Sequence, residues 1–227
     1  MLYESTRGGS GNLKSSDAIR MGIAPDGGLF VPQESPSITI EQLEGFAGMG
    51  YHDRALAVLS MYLGDYSREE IRDFVVNAYS AAKFDSDKIA PVRKINNNIY
   101  MLELWHGPTC AFKDMALQML PHLLKKAMEK SGQQEEIVIL VATSGDTGKA
   151  ALEGFKDVPG TRIIVFYPEN GVSEVQKMQM ITQEGSNVYS IGVEGNFDDA
   201  QNGVKEIFGD TELAARMERS GFRFSSA

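Results

Sequence analysis

The sequence predicts an α/β protein in which a mostly helical N-terminal subdomain precedes a doubly wound parallel sheet, arranged as three layers (αβα). From about residue 83 onward, apolar segments of strand length alternate with segments of helical periodicity, an order typical of crossover helices on a parallel sheet. Before that point, turn residues and helix-capping signals dominate. We therefore expect two domains, at residues 1–82 and 83–227, of which the second ends before its sheet is complete.

The N-terminal segment combines turn chemistry with capped helices. The Asp-Gly-Gly run at residues 26–28 predicts a tight turn that leads into a short strand. Ser67 and Glu70 have the spacing of a capping box, and apolar residues follow them at helical intervals. Further helices are predicted to begin near Thr39 and near Asp53. These signals predict a small, mostly helical subdomain.

The second segment contains an apolar run without polar interruption at residues 137–142, as expected of a parallel strand buried on both faces. Pro121 lies inside the helical pattern that follows Lys113, so we expect a kink or a break there. Ligands of doubly wound sheets bind at the carboxyl ends of the strands, which makes the loops at these ends the candidate site. Further strands are predicted at residues 99–104, 162–167 and 187–193, and one more from Arg223.

Composition excludes several classes of function. The 22 basic residues against 31 acidic ones give a net charge of −9, which argues against a nucleic-acid-binding surface. Cys110 is the only cysteine, so neither an internal disulfide nor a cysteine-based zinc site can form, and no metal is predicted. No apolar stretch approaches the roughly 18 residues of a membrane span, and the N-terminus lacks a signal-peptide pattern. We therefore expect a cytoplasmic protein.

One candidate loop places a lysine at a strand-to-helix corner. Lys113 stands at the predicted start of a helix, where the macrodipole disfavours a cation. The neutral amine is the form that attacks an aldehyde, so Lys113 is a candidate Schiff-base lysine. The alternative is a solvent-exposed lysine followed by Asp114 as a first-turn carboxylate.

A second candidate loop, at residues 143–148, reads Thr-Ser-Gly-Asp-Thr-Gly between the apolar run and the next helix. Backbone N–H groups and hydroxyls at a helix N-terminus can hold a carboxylate or a phosphate. The same residue types also serve as simple N-caps. The glycine spacing fits neither a Walker A loop nor a dinucleotide-binding loop. By itself, the loop leaves the anion site and the cap open as alternatives.

Together, these strings resemble threonine synthase, a fold type II enzyme that depends on pyridoxal 5′-phosphate. The resemblance rests on His-Gly-Pro-Thr at residues 106–109, Ala-Phe-Lys-Asp at 111–114 and the loop at 143–148. The N-terminal strings at residues 5–8 and 26–32 are similar to the opening of that family, and so is the pattern that begins at Ser173 and includes Gln176. The similarity runs through essentially the whole chain in collinear order.

The resemblance implies a carbon–oxygen lyase acting on phosphates, which converts O-phospho-L-homoserine and water to L-threonine and phosphate. It implies that Lys113 carries the cofactor as an imine and then moves protons on the substrate, and that Phe112 packs near the cofactor ring. It places Asp146 beside the 3′-oxygen of the cofactor. The residues it assigns to the substrate carboxylate are Thr143, Ser144, Gly145, Asp146 and Thr147.

Two details of this implied site raise questions. Related enzymes often carry Asn where Asp146 stands, and a carboxylate beside a phenolate oxygen is repulsive unless one of them is protonated. His106 and Thr109 are positional candidates for the wall of the site, although a structural role explains His106 more simply.

Threonine synthases continue well beyond this chain, and the loop that binds the cofactor phosphate in that family has no counterpart here. We therefore expect a fragment that binds the cofactor weakly and does not turn over substrate alone. Two alternatives to the family assignment stay open: another fold type II lyase or dehydratase acting on serine or threonine, and a non-catalytic fold fragment or interaction module. The oligomeric state is also left open, with a homodimer as one option.

Overall fold

The computed structural model describes residues 1–132 and 134–226 and divides into two compact units. The first unit is Met1–Phe112 with His122–Ala127, and the second is Lys113–Pro121 with the chain from Met128 onward. The units are defined by spatial contacts, and the domain division at residue 82 stays a prediction.

Short strands and capped helices build the first unit. Two of its helices begin after Thr39 and after Ser67, as predicted, and the predicted capping box at Ser67 is confirmed. Thr39 forms a capping box as well: in each, the N-cap hydroxyl and the side chain three residues later accept hydrogen bonds from each other's backbone N–H group. One helix, α1, was not predicted. The elements are β1 (Tyr3–Ser5), α1 (Ser15–Met21), β2 (Phe30–Pro32), α2 (Ile40–Phe46), α3 (Tyr51–Tyr62), α4 (Arg68–Ala78), β3 (Val92–Lys94) and β4 (Tyr100–Leu102).

The predicted turn at residues 26–28 is confirmed, and Asp26 holds it in place. Its carboxylate accepts hydrogen bonds from the Ser5 hydroxyl at 2.7 Å, from the Gly9 N–H at 2.7 Å and from the Gly28 N–H at 2.9 Å. These bonds, above all the one from Ser5, keep the pKa of Asp26 below its usual range. One carboxylate thus joins the turn to the loop that follows β1.

The strand predicted at residues 99–104 is shorter than expected and belongs to a different sheet. Only Tyr100–Leu102 is extended, and this strand pairs antiparallel with Val92–Lys94 in a separate hairpin. All residues of both strands are exposed, so neither face of this hairpin is buried. A short apolar run does not show which strand it pairs with. Residues 99–104 were therefore wrongly predicted to belong to the parallel sheet.

The second unit contains the parallel sheet. Its strand order is β7-β6-β5-β8, with every neighbouring pair parallel. The helical pattern after Lys113 is broken in two at Pro121, as predicted: Pro121 lies in the first turn of the second piece, where its missing N–H costs no intrahelical bond. The elements are α5 (Asp114–Leu117), α6 (Leu120–Ser131), β5 (Glu136–Ala142), α7 (Asp146–Phe155), β6 (Thr161–Pro168), α8 (Glu174–Ile181), β7 (Val188–Val193), α9 (Phe197–Gly209), α10 (Thr211–Arg219) and β8 (Phe222–Ser226).

The winding of this sheet confirms the predicted fold class. From β5 the chain moves through α7 to β6 and through α8 to β7, and then returns past β5 to β8. Parallel crossovers are right-handed, so the reversal of direction places α9 and α10 on the opposite face from α7 and α8. The strand β5 therefore lies at the topological switch point, and the loop that leaves its carboxyl end is where such sheets bind ligands.

We predict that Gly148 cannot be replaced by alanine without loss of stability. A Cβ at Gly148 would lie 2.4 Å from Thr143 Cγ2 and 2.7 Å from Val165 Cγ1. The overlap forces α7 away from the sheet, so we expect Gly148→Ala to lower the free energy of unfolding by about 1–3 kcal/mol. Urea denaturation followed by circular dichroism measures the change.

The matched control is Gly203→Ala in α9, where an added Cβ would meet no atom within 4 Å. Because alanine is the better helix former, we expect this variant to be unchanged or more stable by up to about 1 kcal/mol. Equal denaturation midpoints for the two variants would contradict the packing argument.

Candidate active site

Lys113 immediately precedes α5 and has a helical backbone conformation. Its carbonyl oxygen accepts hydrogen bonds from the N–H groups of Ala116 (3.2 Å) and Leu117 (2.9 Å), so the first turn of the helix is built on it. The side chain is half-buried, whereas the neighbouring Asp114 is 0% exposed. The burial of Lys113 and Asp114 therefore does not fit the alternative, in which a solvent-exposed lysine precedes a surface carboxylate.

The loop at residues 143–148 is shaped from inside by Thr143. Its side chain is buried, and its hydroxyl oxygen accepts hydrogen bonds from the N–H groups of Gly145 and Gly148, each at 2.9 Å. These two N–H groups point inward, which leaves those of Asp146 and Thr147, at the start of α7, without an acceptor inside the helix. Thr143 therefore sets the loop conformation, and its direct contact with a substrate stays a prediction.

Gly145 gives this loop a conformation that other residues rarely adopt. Its φ is +139°, and a Cβ there would lie 2.4 Å from Cδ of Gln176. The position therefore requires glycine both for its backbone angle and for its close approach to the Gln176 amide. Of the other loop residues, Ser144 is exposed and Thr147 is half-buried, so both side chains are accessible to a ligand.

Asp146, the first residue of α7, interacts with three groups that stabilise its charge. Gln176 Nε2 donates a hydrogen bond to its Oδ1 at 2.9 Å, and Lys149 Nζ lies 3.3 Å from the same oxygen. The Gln176 hydrogen bond, followed by Lys149 and by the more distant charge of Lys113, holds the pKa of Asp146 below its ordinary value of 3.8. Asp146 is therefore a carboxylate at neutral pH.

The structure brings Lys113 and the loop into the same unit, where Lys113 acts electrostatically on Asp146. Lys149 was not among the residues predicted for the site, and Gln176 had no predicted role. A capping-box spacing between Ser173 and Gln176 and the i,i+3 spacing between Asp146 and Lys149 were the available signals. The candidates Phe112, His106 and Thr109 belong to the first unit, and their place beside a cofactor stays a prediction.

His106 lies between two carboxylates of the first unit. Its Nδ1 is 2.6 Å from Asp85 Oδ1, and its Nε2 is 2.9 Å from Glu103 Oε2. The hydrogen bonds to Glu103 and Asp85, in that order of size, raise the pKa of His106 above its ordinary value of 6.5. The imidazolium thus links the segment after α4 to the segment after β4, which supports the structural role.

The described residues contain no group of three or more histidine, cysteine or acidic side chains that could hold a metal ion. None of the described helices combines the length and the apolar character that a membrane crossing requires.

Two family models match the chain. Residues 2–79 match the model described as Threonine synthase N terminus, and residues 84–219 match the model described as Pyridoxal-phosphate dependent enzyme. The threonine synthase of Pseudomonas aeruginosa is 43% identical over 211 residues, which cover 92% of this chain and 44% of that protein. The threonine synthase of Schizosaccharomyces pombe is 38% identical over 219 residues, which cover 93% of this chain and 42% of that protein.

Solved structures agree with these matches. The crystal structure of pyridoxal-phosphate-bound threonine synthase from Brucella melitensis aligns with a TM-score of 0.87 and 40% identity, over 100% of this chain and 47% of that one. The structure of yeast threonine synthase aligns with a TM-score of 0.85 and 31% identity, over 99% of this chain and 45% of that one. The chain spans less than half the length of these relatives.

We predict that His106 makes the stability of the first unit depend on pH. Because the folded state raises the pKa of His106, its contribution is fully present below the ordinary value of 6.5 and is lost as the pH rises through the raised folded value. Urea denaturation across this range should show a midpoint that falls with increasing pH.

In His106→Gln the imidazole is gone, so this decline should flatten. His52→Gln is the control, because that ring is hydrogen-bonded to the backbone carbonyl of Tyr79 and, within the described residues, to no carboxylate. A decline of the same size in His106→Gln and in the unaltered chain would show that His106 is not its source.

Proposed function

Because the chain belongs to the family of pyridoxal-phosphate dependent enzymes, we propose that it forms the lysine-bearing part of a threonine synthase active site. The proposed reaction is that of a carbon–oxygen lyase, which converts O-phospho-L-homoserine and water into L-threonine and phosphate. The match to threonine synthases over more than 90% of this chain supports it, and we assign the complete reaction to a protein of the relatives' length. A homodimer and a cytoplasmic location stay predictions.

The observation that carries the proposal is that Lys113 and the loop at residues 143–148 belong to the same unit, with the loop leaving β5 at the switch point of the sheet. Pyridoxal phosphate carries an aldehyde and a phenolic oxygen on one side of its ring. A protein that binds this side needs an amine and a ligand-binding loop there. The residues of the second unit therefore fit pyridoxal phosphate, with Lys113 and Asp146 as the groups that would hold it, and the place of Phe112 near the ring stays a prediction.

The bound cofactor would supply an electron sink for negative charge at the substrate Cα. Lys113 is then the group that takes a proton from the substrate and returns it, as general base and general acid.

The remaining loop residues would bind the carboxylate of an amino-acid substrate. The N–H groups of Asp146 and Thr147 stand at the N-terminus of α7, where an anion is stabilised, and the Ser144 hydroxyl is exposed beside them. Thr143 contributes indirectly, since it turns the other two loop N–H groups away. The loop thus favours substrates with a free α-carboxylate, a property that phosphohomoserine shares with serine.

We predict that pyridoxal phosphate attaches to the 227-residue chain at Lys113. After incubation with the cofactor and reduction with borohydride, peptide mass analysis should find the main adduct on Lys113. The adduct should disappear in Lys113→Ala and persist in Lys125→Ala, since Lys125 is an exposed residue of α6. Labelling spread evenly over surface lysines would contradict the proposal.

Substrate choice is tested on the same loaded chain. If the site belongs to a threonine synthase, phosphohomoserine should change the cofactor absorbance at lower concentrations than serine does. The reverse order would favour a dehydratase acting on serine or threonine.

A further inference from the structure

The carboxamide of Gln176 joins two helices at the candidate site. Its oxygen accepts hydrogen bonds from the Ser173 hydroxyl (3.0 Å) and from the Ser173 N–H (3.2 Å), which completes the capping box of α8. Its nitrogen donates to Asp146 Oδ1 at 2.9 Å. A capping box needs only the oxygen, so the amide nitrogen is available for a second task.

Lys149 approaches the same carboxylate oxygen from within α7. Its side chain is 9% exposed, and its Nζ lies 3.3 Å from Asp146 Oδ1. A cation in the first turn of a helix is disfavoured by the macrodipole, and a cation removed from water needs a counter-ion. Asp146 is that counter-ion, so the two side chains form a pair without net charge.

This arrangement leaves the second oxygen of Asp146 open. Both partners contact Oδ1, while within the described part of the chain Oδ2 accepts no hydrogen bond and the side chain is 45% exposed. The Gln176 amide also packs closely over Gly145, where an added Cβ would lie 2.4 Å from its Cδ, so the position of the amide is fixed from two sides. The orientation of Asp146 is therefore set by its neighbours before any ligand arrives.

We propose that Gln176 and Lys149 are positioning residues, which hold one oxygen of Asp146 and present the other to the cofactor. The inference rests on the proposed function, because it concerns how Asp146 meets the group attached at Lys113. The positive charge of Lys149 offsets the Asp146 carboxylate, which reduces the repulsion between that carboxylate and a phenolate oxygen. Lys113 and Lys149 are the charged groups acting on Asp146, and α8 presents the neutral Gln176.

The decisive variant is Gln176→Glu. Glutamate serves a capping box as well as glutamine does, so α8 should keep its start, but glutamate cannot donate to Asp146 and places a second carboxylate beside it. In the cofactor-free chain, a carbon-13 NMR titration should show that the pKa of Asp146 rises, with its signal assigned by comparison with Asp146→Asn. Lys149→Met should raise this pKa as well, and Lys149→Arg should restore it.

Two controls separate positioning from helix capping. Gln42→Glu makes the same change at the same capping-box position of α2, and it should leave the titration of Asp146 as it is. Ser173→Ala weakens the cap of α8 but keeps the Gln176 amide, so it should lower the stability of the chain without raising the pKa of Asp146. If Gln176→Glu fails to fold, Ser173→Ala still tests the proposal. A raised pKa of Asp146 in Ser173→Ala would show that the cap of α8 controls this carboxylate, and it would overturn the proposal.

Cofactor binding is the second readout. Relative to the unaltered chain, Gln176→Glu and Lys149→Met should weaken the affinity for pyridoxal phosphate by about tenfold, the equivalent of roughly 1.4 kcal/mol. Unchanged affinity in both variants, with Lys113 still labelled, overturns the positioning role. An unlabelled Lys113 in the unaltered chain overturns the proposed function instead, and the NMR titration then still decides whether Gln176 and Lys149 control Asp146.

Discussion

The buried hydroxyl of Thr143 is the constraint on which the candidate site depends. By accepting hydrogen bonds from Gly145 and Gly148, it folds the loop after β5 into one conformation and fixes where α7 begins. Asp146 becomes the first residue of that helix for this reason. The tight contact of Gly148 with Thr143 and Val165 then presses the helix start against the sheet. The buried hydroxyl of Thr143 thus determines the position of the charged Asp146, because the hydrogen bonds of that hydroxyl are protected from water.

Helix capping has two uses in this protein. At Thr39 the capping box starts a helix, and the side chains of Thr39 and Gln42 are exposed. At Ser173 the same motif also holds Gln176 against the neighbouring helix, so a local start signal becomes part of a site. The difference lies in the surroundings: α8 follows β6, and the carboxyl ends of β5 and β6 are adjacent in a parallel sheet.

The candidate groups of this chain lie at one edge of the parallel sheet, within the second unit. The relatives named threonine synthase extend to more than twice the length of this chain. Within this chain, the amine of Lys113, the loop at residues 143–148 and the Asp146 carboxylate all lie in the second unit. The first unit has its own polar links, at Asp26 and at His106, which join segments of that unit to one another.

Sequence alone determined the features whose causes are local. Capping boxes, the uninterrupted apolar run of β5 and the helix break at Pro121 all act within a few residues, so the order of residue types was enough to predict them. Lys113 and residues 143–148 were found as candidates for the same reason. Only the tertiary structure decided which strand β4 pairs with and that Gln176 reaches Asp146, thirty positions away in the chain. Such contacts depend on how the strands are ordered, and a periodic pattern of side chains does not encode that order.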